Sequence, residues 1–185
     1  AQEAGYAEAD PTMDVSGGDT AHKLAILASL AFGVQATAEQ VTCQGIDHLD
    51  LADIRFGAEL GYDIKLLGIA EAHAGDAEPD ATRRIGLQVE PCFVHSDTQL
   101  AQVHGPFNAL SVYGHAVGHT LSYGRGAGMM PTASAVVSDV MNIASGWYPH
   151  AFASLRIWAD LHAPAEPVDP DDVVSRFYLR LNALD

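Results

Sequence analysis

The stretch GYAEADPTMDVSGGDTAHKLAILASLAFG, residues 5–33, decides the fold of this chain, because it leads an acidic segment into a nearly all-apolar helix. Asp19 follows two glycines, so it is the predicted N-cap of that helix. Lys23 comes four residues later and therefore shares a helix face with Asp19. Gly33 is the predicted C′ residue, where a left-handed conformation ends the helix. The sequence thus predicts an ion pair on the first turns of a helix.

The apolar side of this helix is too continuous for a surface element, so we expect it to lie in the core. The residues concerned are Leu24, Ile26, Leu27, Leu30 and Phe32. The ion pair would then be held at the rim of a buried element. Spacing alone leaves two interpretations open, a solvated structural pair and a functional pair.

A larger pattern surrounds the ion pair. Residues 5–27, GYAEADPTMDVSGGDTAHKLAIL, closely resemble the catalytic signature of homoserine dehydrogenases. The likeness continues in GYDIKLLGIA (61–70), VEPCFV (89–94), LAQVHGPFNALSV (100–112) and GRGAGMMPTASAVVSDV (124–140). These blocks follow the order of the family and cover about residues 5–144. Ordered blocks are a far more specific signal than one motif.

The resemblance implies an enzyme that interconverts homoserine and aspartate 4-semialdehyde with NAD or NADP, in the biosynthesis of threonine, methionine and isoleucine. It makes Lys23 the acid/base group or the stabiliser of developing charge on the substrate oxygen. Asp19 would orient the substrate hydroxyl and the lysine. Glu8 and Asp14 would bind the substrate ammonium group, which carboxylates suit by charge. Lys65, inside an apolar run, is predicted either to have a structural partner or to contact substrate.

The glycine cluster GRGAG at residues 124–128 is a weak motif on its own, more typical of a tight turn than of a cofactor loop. The helix predicted after it has an N-terminus suited to an anionic or carbonyl group. In homoserine dehydrogenases the similar segment lies by the cofactor, which implies cofactor-binding roles for Gly124, Gly126, Ala127 and Gly128. The family usually has proline at the position of Arg125.

A dinucleotide-binding domain would show a strand, a GxGxxG turn and a helix, and no such pattern precedes residue 5. The glycine–threonine–asparagine loop of the family is also missing upstream. The resemblance therefore implies a catalytic and dimerisation domain without its N-terminal nucleotide-binding domain, and the isolated chain is expected to be inactive. The alternative is a non-catalytic dimerisation or amino-acid-binding remnant of the family.

We predict three segments along the chain. Residues 1–146 form the catalytic domain, and the proline-rich residues 147–176 form a linker or extension. Residues 177–185, FYLRLNALD, alternate like a strand and resemble the opening of an ACT-type regulatory domain that is cut off or absent.

The expected fold class is α+β, with a mixed, mostly antiparallel sheet covered by helices on one face and a homodimer formed through the other face. Helices are predicted at 50–60, stopped by a glycine, and at about 131–146, between a proline and a glycine. Strands are predicted at 62–70, 85–94, 108–113 and 120–123, with a loop at 73–83.

Composition narrows the classes of partner. A formal net charge of −15 argues against nucleic acid and against an anionic membrane surface. No apolar run approaches the roughly 18 residues of a membrane span, and residues 1–18 lack the pattern of a signal peptide. Cys43 and Cys92 match no metal or redox spacing, so both are predicted to be reduced, partly buried thiols in a cytoplasmic protein.

His115 and His119 are four residues apart, but Gly114 and Gly118 argue against a helix there. No third ligand follows at a recognisable spacing, and we predict no metal site.

Overall fold

The structure of the protein is a computed structural model that describes residues 10–73, 84–155, 163–181 and 183. The helices are α1 (Thr12–Ser16), α2 (Gly18–Phe32), α3 (Leu51–Glu59), α4 (Met129–Ala144) and α5 (Trp147–Leu155). The strands are β1 (Thr42–Cys43), β2 (Tyr62–His73), β3 (Arg84–His95), β4 (Phe107–Gly114), β5 (Gly118–Arg125) and β6 (Glu166–Pro167). Short 3-10 turns occupy Ala38–Gln40 and Pro170–Asp172.

The main sheet is built around β3, which pairs with β2 on one edge and with β1 and β6 on the other. The β2–β3 pairing is antiparallel and regular over the whole length of both strands, from Tyr62 opposite His95 to His73 opposite Arg84. The two-residue strands β1 and β6 both run parallel to β3. Strands β4 and β5 form a separate antiparallel hairpin.

The core lies between this sheet and α2. Side chains alternate along a strand, so one face of β3 carries Ile85, Leu87 and Val89, all buried. They pack with Leu24 and Ala28 of α2 in one hydrophobic cluster.

Helix α3 packs on the same side of the sheet as α2. A Cβ on Gly57 of α3 would overlap the ring of Phe93. Because side chains alternate along a strand, Phe93 lies on the same face of β3 as Val89. Helices therefore cover one face of the sheet, as predicted. The other face, called the open face below, carries Lys65, Leu67 and Ile69 of β2.

The strand predictions are confirmed in position, and each observed strand is slightly longer than predicted. Strand β3 continues through Pro91, although proline lacks the amide that a strand interior uses for pairing. The amide and carbonyl of Val89 point toward β1, since the amide of Gln44 donates to the Val89 oxygen at 2.7 Å. Pro91 is two residues further along the strand, so its backbone faces the same edge as that of Val89. This edge is unpaired beyond the end of β1, and a proline, which has no N–H, is tolerated there.

The predicted predominance of antiparallel pairing is not confirmed for the main sheet. Two of its three pairings are parallel. The connections to β1 and β6 are long enough for both strands to run in the same direction as β3. The sheet is mixed, and its longest pairing is the antiparallel one. The predicted loop at 73–83 falls, after His73, outside the described residues.

The helix predictions are also confirmed in position. Helix α3 ends before Gly61, which has φ +82°, and α4 ends before Gly146, which has φ +69°. The segment predicted as a linker from residue 147 differs, because it begins with the helix α5. Within the described residues, no helix is both long and apolar enough to cross a membrane.

Candidate active site

The candidate site begins at the turn between α1 and α2. Gly17 has φ +85° and ends α1, its amide bonding to the Asp14 carbonyl at 3.3 Å. A Cβ at Gly17 would stand 2.9 Å from both Cys43 Sγ and Val89 Cγ1. Only glycine fits this left-handed, closely packed turn. Because the turn lets α2 begin at Gly18, the N-cap is Gly17, and the predicted capping role of Asp19 is wrong.

Asp19 and Lys23 form the predicted ion pair. The Lys23 Nζ donates to Asp19 Oδ2 at 2.6 Å, and the exposed fractions of the two side chains are 66% and 43%. The backbone of both residues is held by α2, whose Ala21, Leu24 and Ala28 are buried. The result is a solvent-accessible ammonium–carboxylate pair fixed to a rigid helix. Such a pair can hold a hydroxyl group between a proton donor and an acceptor.

The carboxylates predicted to bind substrate precede this pair. Asp14 is an exposed residue of α1, the helix that precedes α2. Glu8 lies outside the described residues. Asp10 accepts hydrogen bonds from the hydroxyl and the amide of Thr12, which lower the pKa of its carboxyl group. Its role in this geometry is to begin α1.

Lys65 lies on the open face of the sheet. Gly68 faces Thr20 and Leu24 of α2, so Lys65, three residues away on the same strand, points to the opposite side. Its Nζ donates to the Val103 carbonyl at 2.9 Å and lies 3.4 Å from His104 Nδ1. This geometry supplies the structural partner that was one of the two predictions for Lys65.

The predicted cofactor residues lie where the hairpin leads into α4. Gly124 is in β5, whereas Gly126, Ala127 and Gly128 form the turn that follows. The Gly126 amide donates to the Pro106 carbonyl at 3.3 Å, and a Cβ on Gly126 would collide with the amide of Asn108. Gly128 has φ +120° and no side chain caps the first turn of α4. The turn thus leaves helix amides uncovered.

Arg125 replaces the usual proline of the family and stacks on an aromatic pair. Its guanidinium lies 5.3 Å from the ring centre of Phe107, which stacks on Tyr123 at 4.8 Å. This arrangement holds the Arg125 side chain against the hairpin.

The two histidines of the hairpin lie in different surroundings. His115 lies in the turn, and His119 Nε2 is 2.7 Å from Ser111 Oγ. Among the described residues, no group of three or more His, Cys, Asp or Glu side chains is placed to hold a metal ion.

Sequence reasoning missed the support of α1 by residues 43–46. The Ile46 amide donates to the Val15 carbonyl at 2.9 Å, and Cys43 Sγ lies 3.2 Å from the Ser16 carbonyl. A Cβ on Gly45 would come within 2.5 Å of the Val15 oxygen. That glycine was the signal available in the sequence.

Comparison with known proteins gives one family throughout. The family model described as homoserine dehydrogenase matches residues 1–141. This chain belongs to the homoserine dehydrogenase family. The match contains the Asp19–Lys23 pair and residues 124–128.

The relatives that this chain matches are longer than it. The homoserine dehydrogenase of Synechocystis sp. is 43% identical over 190 residues, a match that covers 100% of this chain and 42% of the relative. That of Helicobacter pylori is 49% identical over 144 residues, which cover 78% of this chain and 32% of the relative. A crystal structure of a homoserine dehydrogenase from Thiobacillus denitrificans has a TM-score of 0.76 and 42% identity, with 91% of this chain and 38% of that chain covered.

Proposed function

We propose that this chain is the catalytic, substrate-binding domain of an NAD(P)-dependent homoserine dehydrogenase, which interconverts homoserine and aspartate 4-semialdehyde. The observation that supports this most directly is the 2.6 Å contact between Lys23 and Asp19, inside the segment that matches the family. The catalytic domain comprises residues 1–146, and 147–176 and 177–185 are an extension and the start of a further element. The relatives are named as dehydrogenases, and an ammonium–carboxylate pair supports the proton transfer that a dehydrogenase reaction requires.

The reaction requires a hydride to leave the substrate carbon and a proton to leave its hydroxyl oxygen. When bound, NAD or NADP supplies the hydride acceptor. Lys23 acts in one of two ways. As a neutral amine oriented by Asp19, it takes the hydroxyl proton; as an ammonium, it donates to the substrate oxygen and stabilises the negative charge that develops there, while the proton passes to the Asp19 carboxylate. In both cases Asp19 fixes the orientation of the lysine. Both side chains are partly exposed, so substrate can reach them directly.

The amino-acid end of homoserine requires a partner for its ammonium group. Asp14 is exposed on α1, immediately before the turn that carries α2, and it is assigned this role together with Glu8. Lys65 stays a candidate for substrate contact, although its ammonium donates to the Val103 carbonyl on the open face.

The turn at 126–128 fits a polar group of the cofactor. The first turn of α4 has no side-chain cap, so its amides are available as donors to an anionic or carbonyl group. Asn108 closes on Gly126 from the other side, which limits the space around the turn. The cofactor would therefore be held by backbone contacts from Gly126, Ala127 and Gly128. Gly124, which lies in β5, would contribute by having no side chain beside the cofactor.

The whole protein is proposed to act as a homodimer in the cytoplasm. Its products feed the biosynthesis of threonine, methionine and isoleucine. The nucleotide-binding part would come from sequence beyond this chain, which spans 42% of the length of the Synechocystis relative.

The test is the homoserine-dependent reduction of NAD and NADP by the full-length protein that carries this chain. Lys23→Ala should lower kcat by roughly 10²- to 10⁴-fold, the usual contribution of a positioned acid/base group. Lys23→Arg distinguishes the two roles, because arginine stays protonated. It should be nearly as inactive as Lys23→Ala if Lys23 takes the proton, and should keep part of the activity if Lys23 stabilises the developing charge. Arg55→Ala, at an exposed cation of α3, is the matched control and should retain activity.

A folded full-length protein that turns over homoserine with neither cofactor would contradict the proposal. The alternative, a dimerisation or amino-acid-binding remnant, would then be the better interpretation.

A further inference from the structure

Residues 177–181, called the strap below, belong to no helix or strand of the described structure. Its side chains alternate. Phe177, Leu179 and Leu181 are exposed, whereas the Arg180 side chain is only 31% exposed and faces the protein with Tyr178.

The strap is attached at the first turn of α3. The Tyr178 ring lies 4.6 Å from the ring of Phe93, and its hydroxyl donates to Asp53 Oδ1 at 3.0 Å. Arg180 Nη1 lies 2.9 Å from Asp50 Oδ2 and 3.3 Å from Asp53 Oδ1. The Asp53 side chain is only 18% exposed, so solvent screens its contacts less than those of a surface pair.

Arg180 contacts the residue that caps α3. Asp50 Oδ1 accepts from the Ala52 amide at 3.0 Å, while its other oxygen accepts from Arg180. The guanidinium thus holds the capping carboxylate in position. Asp50 in turn ends the segment 44–50, which leads back from α3 to the candidate site.

The segment 44–50 supports α1, which carries Asp14. The Ile46 amide donates to the Val15 carbonyl at 2.9 Å, and Gly45 packs closely against the same carbonyl. Helix α1 has five residues and none of them is buried. Within the part of the chain that the structure describes, α1 is held by α2 and by residues 43–46, so its position depends on that segment. In contrast, the neighbouring α2, with Asp19 and Lys23, is anchored in the core.

We propose that Arg180 and Tyr178 are positioning residues for substrate binding. They hold Asp50, and through residues 44–50 they hold α1 and the Asp14 carboxylate. The inference rests on the proposed function, because it takes Asp14 as a partner of the substrate ammonium. It adds that the strap and the substrate site are coupled through Asp50 and residues 44–50.

The first test is steady-state kinetics of the full-length protein with homoserine as the varied substrate. Arg180→Ala should raise KM by about three- to tenfold and change kcat by less than about twofold, because α1 loses support while α2 does not. Tyr178→Phe, which keeps the ring on Phe93, should have a smaller effect of the same kind. Arg180→Lys keeps a cation near both carboxylates and should restore KM. Arg176→Ala is the matched control, because Arg176 is an exposed arginine just before the strap.

Hydrogen–deuterium exchange gives a readout independent of turnover. Arg180→Ala should speed exchange of the Ile46 amide by at least about threefold, while amides in β3 stay unchanged. Faster exchange at residues 50–53 with unchanged exchange at Ile46 would overturn the coupling, as would an unchanged KM. If no variant and no wild-type protein turned over homoserine, the proposed function would fail, and exchange alone would still decide whether the strap supports α1.

Discussion

The two cysteines differ in their surroundings. Cys92 lies half-buried on the open face of β3, and burial, aided by the charge of Glu90, raises the pKa of its thiol to about 11. Cys43 is exposed beside the turn between α1 and α2, which corrects the prediction that it is partly buried. It is exposed because β1 is a two-residue edge strand, so little chain covers its outer side. Both thiols are free.

We expect iodoacetamide to modify these thiols at different rates. At pH 8 the thiolate fraction of Cys92 is roughly 100-fold below that of an ordinary cysteine, since the pKa is about two units higher. Cys43 should therefore be alkylated first, as measured by peptide mass spectrometry over time. Equal rates at both positions in the native protein would contradict this, and denatured protein is the control in which the difference disappears.

The same shift has a consequence for stability. The pKa of Cys92 is raised in the folded state, so the folded state retains this proton while the unfolded state loses it between pH 9 and about 11. The free energy of unfolding should fall as pH rises through this window. In Cys92→Ala, this part of the decline should be absent from urea titrations at each pH.

Residue-level predictions from sequence succeeded where one short-range rule decides the outcome. The i, i+4 spacing of Asp19 and Lys23 was enough to predict their contact. The capping role of Asp19 failed because close packing of Gly17 against Val89, distant in sequence, placed the start of α2 two residues earlier than the pattern indicated.

At the scale of elements, the end of α2 offers a clean test. Gly33 has φ +62° and ψ +49°, and its amide donates to the Ser29 carbonyl at 3.0 Å. Gly33→Ala places a Cβ in this left-handed conformation and should lower the free energy of unfolding by about 1 kcal/mol. Gly33→Asn should cost less, since asparagine tolerates the conformation. Urea unfolding measures both, and equal costs would argue against a conformational origin.

The position of elements followed from sequence more closely than their environment. Gly61 and Gly146 end helices where predicted, because a residue with positive φ stops a helix whatever surrounds it. The apolar side of α2 was expected entirely in the core. Leu24 is buried there and Phe32 packs against it, but Ile26, Leu27 and Leu30 are exposed, because the sheet covers only one side of the helix.

At the scale of the molecule, much apolar surface stays exposed. The residues concerned in α4 are Met129, Met130, Val136, Val137, Val140, Met141 and Ile143. Periodicity predicts that such a helix has an apolar face, yet it cannot predict what covers that face. The same limit applies to the sheet. Alternation along β2 and β3 predicts that the sheet has two faces, but it does not predict what packs against the open face.

The last prediction concerns that open face. Leu67 lies in the middle of β2, opposite Glu90 and beside Lys65, on the side away from α2. The proposed homodimer packs two such faces together, so the chain should sediment as a dimer at equilibrium. Leu67→Arg should give monomers, because each copy would bring a cation into an apolar contact.

Glu90 of the same chain can pair with the new guanidinium, so the variant should keep its fold, which circular dichroism checks. Leu60→Arg is the matched control, since Leu60 is 65% exposed at the end of α3, on the helix-covered side. This control should remain dimeric. A wild-type chain that stays monomeric at high concentration would contradict a homodimer formed by this chain. A Leu67→Arg variant that stays dimeric would place the subunit contact elsewhere, with the exposed side of α4 as the next surface to substitute.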